Sequence, residues 1–318
     1  MRNIFNEIKS AERIAIFAHA KTDGDAVGAS LALFYYCKSQ KKEVSVHIDS
    51  DIPQNLNFLD GVSVINKGAI NKGDLAIVVD CADVDRLGRN RFKLSKFKTV
   101  INVDHHDNAN FGHLRYIKPE YSSTCELIYD LFCQFGEEVT PLLARYLVCG
   151  ILTDTGGLRF SNVTSETLIK VAKLLQTCNA NINDFMGPLF SSITPEMFNL
   201  KKYAFENIKL IDNGKIAIIT IQHQTLTDLG VMLTDTKVVL EIGLSLANNL
   251  VMVAITEGEP GVNYVSFRTK NRNIDVSSMA AQFGGGGHKM ASGCKLYCSI
   301  SEAEEKVYNV VKSMVGNL

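Results

Sequence analysis

The chain has 318 residues, 46% hydrophobic and 21% charged, with a formal net charge of −1. Its length exceeds what one hydrophobic core organises, so two domains are expected, and its composition excludes a disordered or low-complexity chain. Basic and acidic residues number 21 against 23 through position 200 and 12 against 11 after it, which excludes a polycation built to grip long nucleic acid through many phosphates.

No stretch reaches the roughly 18 apolar residues of a membrane span, and the first ten residues mix charges among apolar ones, so a cytoplasmic protein without a membrane partner is expected. Cysteines at positions 37, 81, 125, 133, 149, 178, 294 and 298 form no CxxC pair. They read as free thiols rather than a zinc ribbon or redox motif.

In chain order, β-branched apolar runs at Arg13 to Ala18, Val44 to Ile48, Leu75 to Asp80 and Thr99 to Val103 predict short buried strands. Between them, Val27, Leu31, Phe34 and Tyr35 recur at helical spacing within Ala26 to Lys38. Strands alternating with helices predict an α/β fold with a mainly parallel, doubly wound sheet. Further helices are expected over Pro141 to Leu152 and Leu168 to Leu175. Thr194 as N-cap with Pro195 in the first turn predicts a helical connector from Met197 to Ile208.

Beyond it, Lys215 to Ile221, Val251 to Thr256 and Asn263 to Arg268 read as strands, with Val238 to Ala247 and Glu302 to Met314 as helices. The expected division is a catalytic domain over 1–185, a helical linker over 186–205, and a smaller mixed-sheet α/β domain over 206–318.

In parallel sheets of this kind, ligand sites lie beyond the carboxyl ends of the strands. His19-Ala-Lys-Thr-Asp23-Gly-Asp25, Asp80 and Asp104-His105-His106 all fall at such ends, and Asp154 in Thr-Asp-Thr-Gly leaves a helix end. One Gly between Asp23 and Asp25 lets a loop aim two carboxylates at different ions in one place. Imidazole and carboxylate donors without thiolate suit two hard divalent ions, manganese first, with magnesium or cobalt as the other candidates. A metallohydrolase is expected.

The order of these motifs resembles the DHH phosphoesterase family. Phe283-Gly-Gly-Gly-Gly-His288-Lys-Met-Ala-Ser-Gly293 is similar to the glycine-rich signature of the associated C-terminal domain. The resemblance covers nearly the whole chain, and is greatest to the branch of bacterial oligoribonucleases that also act on 3′-phosphoadenosine 5′-phosphate. It implies one metal on His19, Asp23 and Asp80 and a second on Asp25, Asp80, His105 and Asp154, with Asp80 bridging. Two ions about 3.5 to 4 Å apart need such a shared anion and together activate water near neutral pH.

Four Asp against two divalent ions leave the centre near neutral, so substrate charge must be met elsewhere. His106 is expected to donate to a phosphoryl oxygen, a role the resemblance also suggests. Asp104 is expected to orient a ligand His or a neighbouring loop rather than bind metal. In the second domain, Gly285, Gly286 and Gly287 read as a backbone cradle for phosphate, with His288, Lys289 and Ser292 beside it and Arg268 as a terminal-phosphate clamp. His47, His113 and His223 receive no role.

The implied activity is release of 5′-mononucleotides from very short RNA, or of phosphate from 3′-phosphoadenosine 5′-phosphate, with the second domain gripping the nucleotide. A phosphodiesterase for linear or cyclic dinucleotides and a metal-dependent nucleotide sensor stay open as alternatives, and so does a homodimer.

Overall fold

In the computed structural model, which describes residues 3–68, 72–191 and 193–315, helix α1 (Ile4–Ser10) leads into β1 (Arg13–Ala18) and α2 (Gly24–Ser39). The strands β2 (Glu43–Ile48), β3 (Gly73–Val79), β4 (Phe97–Asp104) and β5 (Leu114–Ile117) follow. These strands form a five-stranded sheet in the order β2-β1-β3-β4-β5, and every pairing is parallel. The expected parallel α/β sheet is therefore present. In this strand order the topology reverses between β1 and β3, the place where ligands settle in such sheets.

One face of the sheet is covered by α1, α2, α3 (Thr124–Phe135) and α4 (Pro141–Asp154), with α5 (Ser165–Thr177) and the short α6 (Asn183–Met186) packed outside them. Because α2 lies between the sheet and α4, it is buried nearly all round, and Gly28 marks the crossing: a Cβ there would sit 2.5 Å from the Tyr146 carbonyl oxygen. The opposite face differs from a doubly wound expectation. It carries no α-helix among the described residues. Phe17, Val78 and Val100 are covered there by Leu87 and Leu94 of an irregular 3-10 segment, Val84–Lys96, which Gly88 breaks at φ 60°.

The chain divides into two compact units, Met1–Ser192 and Ile193–Leu318. Helix α7 (Pro195–Asn207) is not a free-standing linker: Leu200 and Ala204 are fully buried in the second unit. Thr194 caps it through the Met197 N–H, with Pro195 in the first turn, as the sequence predicts.

The second unit holds β6 (Lys209–Ile211), β7 (Ile216–Ile221), α8 (His223–Leu229), α9 (Lys237–Ser245), β8 (Val251–Glu259) and β9 (Val262–Arg268). It closes with α10 (Val276–Ala281), β10 (Gly286–His288), β11 (Ala291–Tyr297) and α11 (Ile300–Val315). Its six-stranded sheet runs β10-β11-β9-β8-β7-β6, parallel only between β7 and β8. Alternate residues face opposite ways. Val253 and Phe267 pack on α10 and α11, whereas Ala217, Ile219 and Met252 pack on α7, α8 and α9. No helix among the described residues is long and apolar enough to cross a membrane.

Candidate metal centre

The three strand ends deliver their polar residues to one place. His19 leaves β1, Asp80 leaves β3, and Asp104, His105 and His106 end β4. Asp80 turns with φ +51°, a left-handed conformation that Asp tolerates better than most side chains. Its amide donates to the Val103 carbonyl at 3.0 Å, tying β3 to β4 at the turn.

Around Asp80 the donor atoms form overlapping groups: His19, Asp23 and Asp80; Asp25, His105 and Asp154; and Asp80 with Asp104, His105 and His106. His19 Nε2 lies 3.1 Å from Asp80 Oδ2 and 3.6 Å from Asp23 Oδ2. His105 Nε2 lies 3.0 Å from Asp154 Oδ2 and 3.7 Å from Asp80 Oδ1, while its Nδ1 is held at 3.3 Å by the Tyr121 carbonyl oxygen. That contact leaves Nε2 facing the carboxylates. All six expected metal ligands thus converge.

Local sequence explains the convergence. Asp23 caps α2, its Oδ1 accepting from the Asp25 and Ala26 amides, so its second oxygen is left for His19. Asp25 is fully buried, and a Cβ on Gly150 of α4 would lie 2.7 Å from its Oδ1 and 2.2 Å from Cys125 Sγ. Glycine at 150 is what lets α4 pass over that carboxylate. Thr124 and Cys125, at the start of α3, donate their amides to Asp25 at 2.7 and 2.9 Å, and Thr124 Oγ1 donates to Asp80 Oδ1 at 3.2 Å.

The chemistry of the cluster fits divalent cations. Five buried or half-buried acidic groups meet three imidazoles with no thiolate among the nearest donors, and His19 Nδ1 and Asp104 Oδ2 are buried without a hydrogen-bond partner. Burial and the neighbouring Asp154 push the Asp25 carboxyl well above its usual range. Burial works against a proton on His19, but hydrogen bonds to Asp23 and Asp80 outweigh it and push the pKa up to about 9. His105 follows the same pattern, held against its burial by Asp154 and Asp25 and pushed up to about 10.

Both histidines therefore hold their protons more tightly in the folded chain than in the unfolded one, where the value is near 6.5. This stabilisation of the metal-free fold is complete below about pH 6.5 and is lost as the pH rises through about 9 to 10. A bound cation takes the place of those protons. Manganese is expected to raise the melting temperature more at pH 9 than at pH 7, and titration calorimetry at pH 7 in two buffers of different ionisation enthalpy is expected to read proton release. Uptake without proton release contradicts this account.

Asp104 and His106 form a separate pair. Asp104 Oδ1 accepts from His106 Nδ1 at 2.7 Å and from the His106 amide at 3.2 Å. Asp104 is fully buried whereas the His106 ring is partly exposed, so the carboxylate fixes the tautomer and turns Nε2 outward. The same contact raises the His106 pKa. Asp104 is thus not on a ligand His, as the sequence leads one to expect, but on His106, outside the expected ligand set.

In the second unit Arg268 ends β9 half-buried, its Nη1 donating to the Phe267 carbonyl at 2.9 Å, with no acidic partner among the described residues. The glycine run differs from an open phosphate nest. Gly284 and Gly285 spend their amides on the Ala281 and Ala280 carbonyls, closing α10, and Gly286 to His288 form an edge strand opposite Ala291 to Gly293. Gly285 is small by necessity, since a Cβ there would lie 2.3 Å from the Gly293 oxygen. Ser292 is buried and donates to the Val276 carbonyl at 2.5 Å, so its hydroxyl serves the wall under α10. Gly286, Gly287, His288 and Arg268 remain accessible.

Sequence comparison agrees with this geometry. Residues 13–151 match the N-terminal domain of the DHH family and residues 214–317 match the DHHA1 domain. The chain belongs to the DHH family. Membership makes this DHH protein a hydrolase of phosphoester bonds. It is 28% identical to the probable bifunctional oligoribonuclease and PAP phosphatase NrnA of Streptococcus mutans, over 99% of this chain and 98% of the relative. It is 29% identical to the bifunctional oligoribonuclease and PAP phosphatase NrnA of Thermus thermophilus, over 98% and 93%. An exopolyphosphatase-related protein from Bacteroides fragilis shares the DHH protein's fold with a TM-score of 0.85 and 24% identity, over 97% and 94% of the two chains.

Proposed function

We propose that this DHH protein is a two-metal phosphoesterase that hydrolyses very short oligoribonucleotides to 5′-mononucleotides and removes the 3′-phosphate of 3′-phosphoadenosine 5′-phosphate in the cytoplasm. The observation that carries the reading is that Asp80 clusters with His19 and Asp23 through one oxygen while its other oxygen lies 3.7 Å from His105, which clusters with Asp25 and Asp154. The names of the Streptococcus and Thermus relatives support the substrate class.

His19, Asp23 and Asp80 would hold one divalent ion and Asp25, Asp80, His105 and Asp154 the other, with manganese the best match to an oxygen-rich set containing imidazole. When bound, such a pair supplies Lewis acidity at the phosphoryl group and lowers the pKa of water. The chain supplies the rest. His106, held by Asp104, donates from Nε2 to a phosphoryl oxygen as charge builds there. In the second unit the guanidinium of Arg268, which has no acidic partner among the described residues, with the exposed Gly286–Gly287 edge and the His288 ring, binds a further substrate phosphate. The near-zero net charge fits small anionic substrates rather than long polymers.

The test is a manganese-dependent product assay across two- to ten-nucleotide RNAs, 3′-phosphoadenosine 5′-phosphate and a cyclic dinucleotide. Mononucleotide release fastest from the shortest RNAs, together with phosphate release from the bisphosphate, is expected. Faster turnover of the cyclic dinucleotide than of any RNA replaces the substrate assignment, and nucleotide binding without any metal-dependent product makes the protein a sensor.

A further inference from the structure

We infer that Thr124 and the first turn of α3 are the positioning element of the dinuclear centre, with the Thr124 hydroxyl setting the orientation of the shared carboxylate Asp80. The inference rests on the two-metal reading above and assigns it residues that are not themselves ligands.

One short segment, Tyr121 to Cys125, reaches three of the expected ligands. The Tyr121 carbonyl holds His105 Nδ1, the Thr124 and Cys125 amides hold both oxygens of Asp25, and Thr124 Oγ1 holds Asp80 Oδ1. The two amides are among those a helix start leaves without an internal partner, and they bring a partial positive charge to a carboxylate that is fully buried near Asp80 and Asp154. For Asp80, His19 stands at Oδ2 and Thr124 at Oδ1. Each oxygen of the carboxylate proposed to serve two ions therefore has its own hydrogen-bond partner, and of the two only Thr124 lies outside the expected ligand set.

A second layer fixes the segment. Glu126 is buried and accepts from the Ser122 amide at 2.9 Å, Ser122 Oγ at 2.5 Å, Thr167 Oγ1 at 3.2 Å and Lys170 Nζ at 2.9 Å. Lys170 also reaches Asp130 at 2.7 Å, so α5 clamps the first turns of α3. Asn162 Nδ2 donates to the Ser122 carbonyl at 3.1 Å and to the Asp154 carbonyl at 3.2 Å, linking the same segment to the fourth carboxylate's backbone. Because the segment is held by several independent hydrogen bonds, loss of one donor is felt as misdirection rather than as collapse.

Thr124→Val removes the donor while keeping the branched shape, and Thr124→Ser restores it. In Thr124→Val, manganese affinity by calorimetry is expected to fall about tenfold to a hundredfold, with kcat falling and KM for a short RNA within about twofold of wild type. The rise in melting temperature on adding manganese should shrink as well, whereas a merely structural role would lower the metal-free and loaded melting temperatures together. Thr124→Ser should recover most of the affinity and rate. Wild-type affinity in Thr124→Val, or a Thr124→Ser variant no better than Thr124→Val, overturns the inference while leaving the metal centre standing.

Should Thr124→Val not fold, the wild-type protein gives the answer. The amide resonances of Thr124 and Cys125 are expected to shift on magnesium saturation more than those of Leu131 farther along α3, and unmoved resonances overturn the inference. Wild-type protein that takes up no divalent ion overturns the two-metal reading and this inference with it.

Discussion

Asp80→Asn is expected to reduce bound manganese from two ions to one or none per chain and to lower kcat/KM by at least about a thousandfold, roughly 4 kcal/mol of transition-state stabilisation. Asp80 is the residue common to the groups built on His19 and on His106, and it lies 3.7 Å from His105 in the group that includes Asp154. Asp23 and Asp25 are held in other directions, Asp23 by capping α2 and Asp25 by the amides of α3. Asparagine is the better probe than alanine. It keeps the size of the side chain and tolerates the φ of +51° at this position, where alanine adds a backbone cost of about 1 kcal/mol. Metal analysis after gel filtration, alongside the product assay, reads the outcome. A variant that retains two manganese ions and wild-type turnover removes the bridging role and leaves the two groups as independent sites.

The parallel sheet was readable because its strands are buried on both faces and so appear as unbroken apolar runs, of which Arg13 to Ala18 has the same bounds in sequence and structure. Three of the ligands expected from the sequence stand at the ends of such strands, so finding the strands amounted to finding His19, Asp80 and His105. What lay beneath them was harder. Helix α3 escapes a periodicity search because its start, Ser122-Ser-Thr-Cys, is polar and small, yet Ser123 followed by Glu126 has the spacing of a helix start, and Ser123 does cap the Glu126 amide. That spacing was the available signal for Thr124.

The Asp104 pairing had a signal too. Residues two apart along an extended segment share a side, which favours Asp104–His106 over Asp104–His105 as the pair to expect from the sequence. The glycine run carries no comparable signal. Consecutive glycines serve an anion nest or a tight strand crossing equally well, and only the close approach of Gly285 to the Gly293 oxygen shows that packing claims part of the run. The 3-10 cover over Phe17 and Val78 was equally unreadable, since Gly88 interrupts whatever period its charged residues might have shown.

His106→Ala is expected to leave both metal sites filled and to lower kcat by about a hundredfold to a thousandfold, the usual loss when one preorganised donor is removed from a developing oxyanion. The ring is partly exposed and its side-chain hydrogen bond is to Asp104, so alanine leaves no cavity in the core and the melting temperature should move little. Asp104→Asn tests the same unit from behind. It retains the shape of the side chain, neutralises a carboxylate whose Oδ2 is buried without a partner, and therefore keeps or raises stability while loosening the histidine. If the two residues act as one donor, the double variant is no slower than His106→Ala alone, because Asp104 has nothing left to orient. Multiplying losses in the double variant would mean that Asp104 serves a second group, and Asp80 is the first place to look, since its Oδ1 lies 3.7 Å from His106 Nδ1. Loss of manganese in His106→Ala would instead move His106 from donor to ligand.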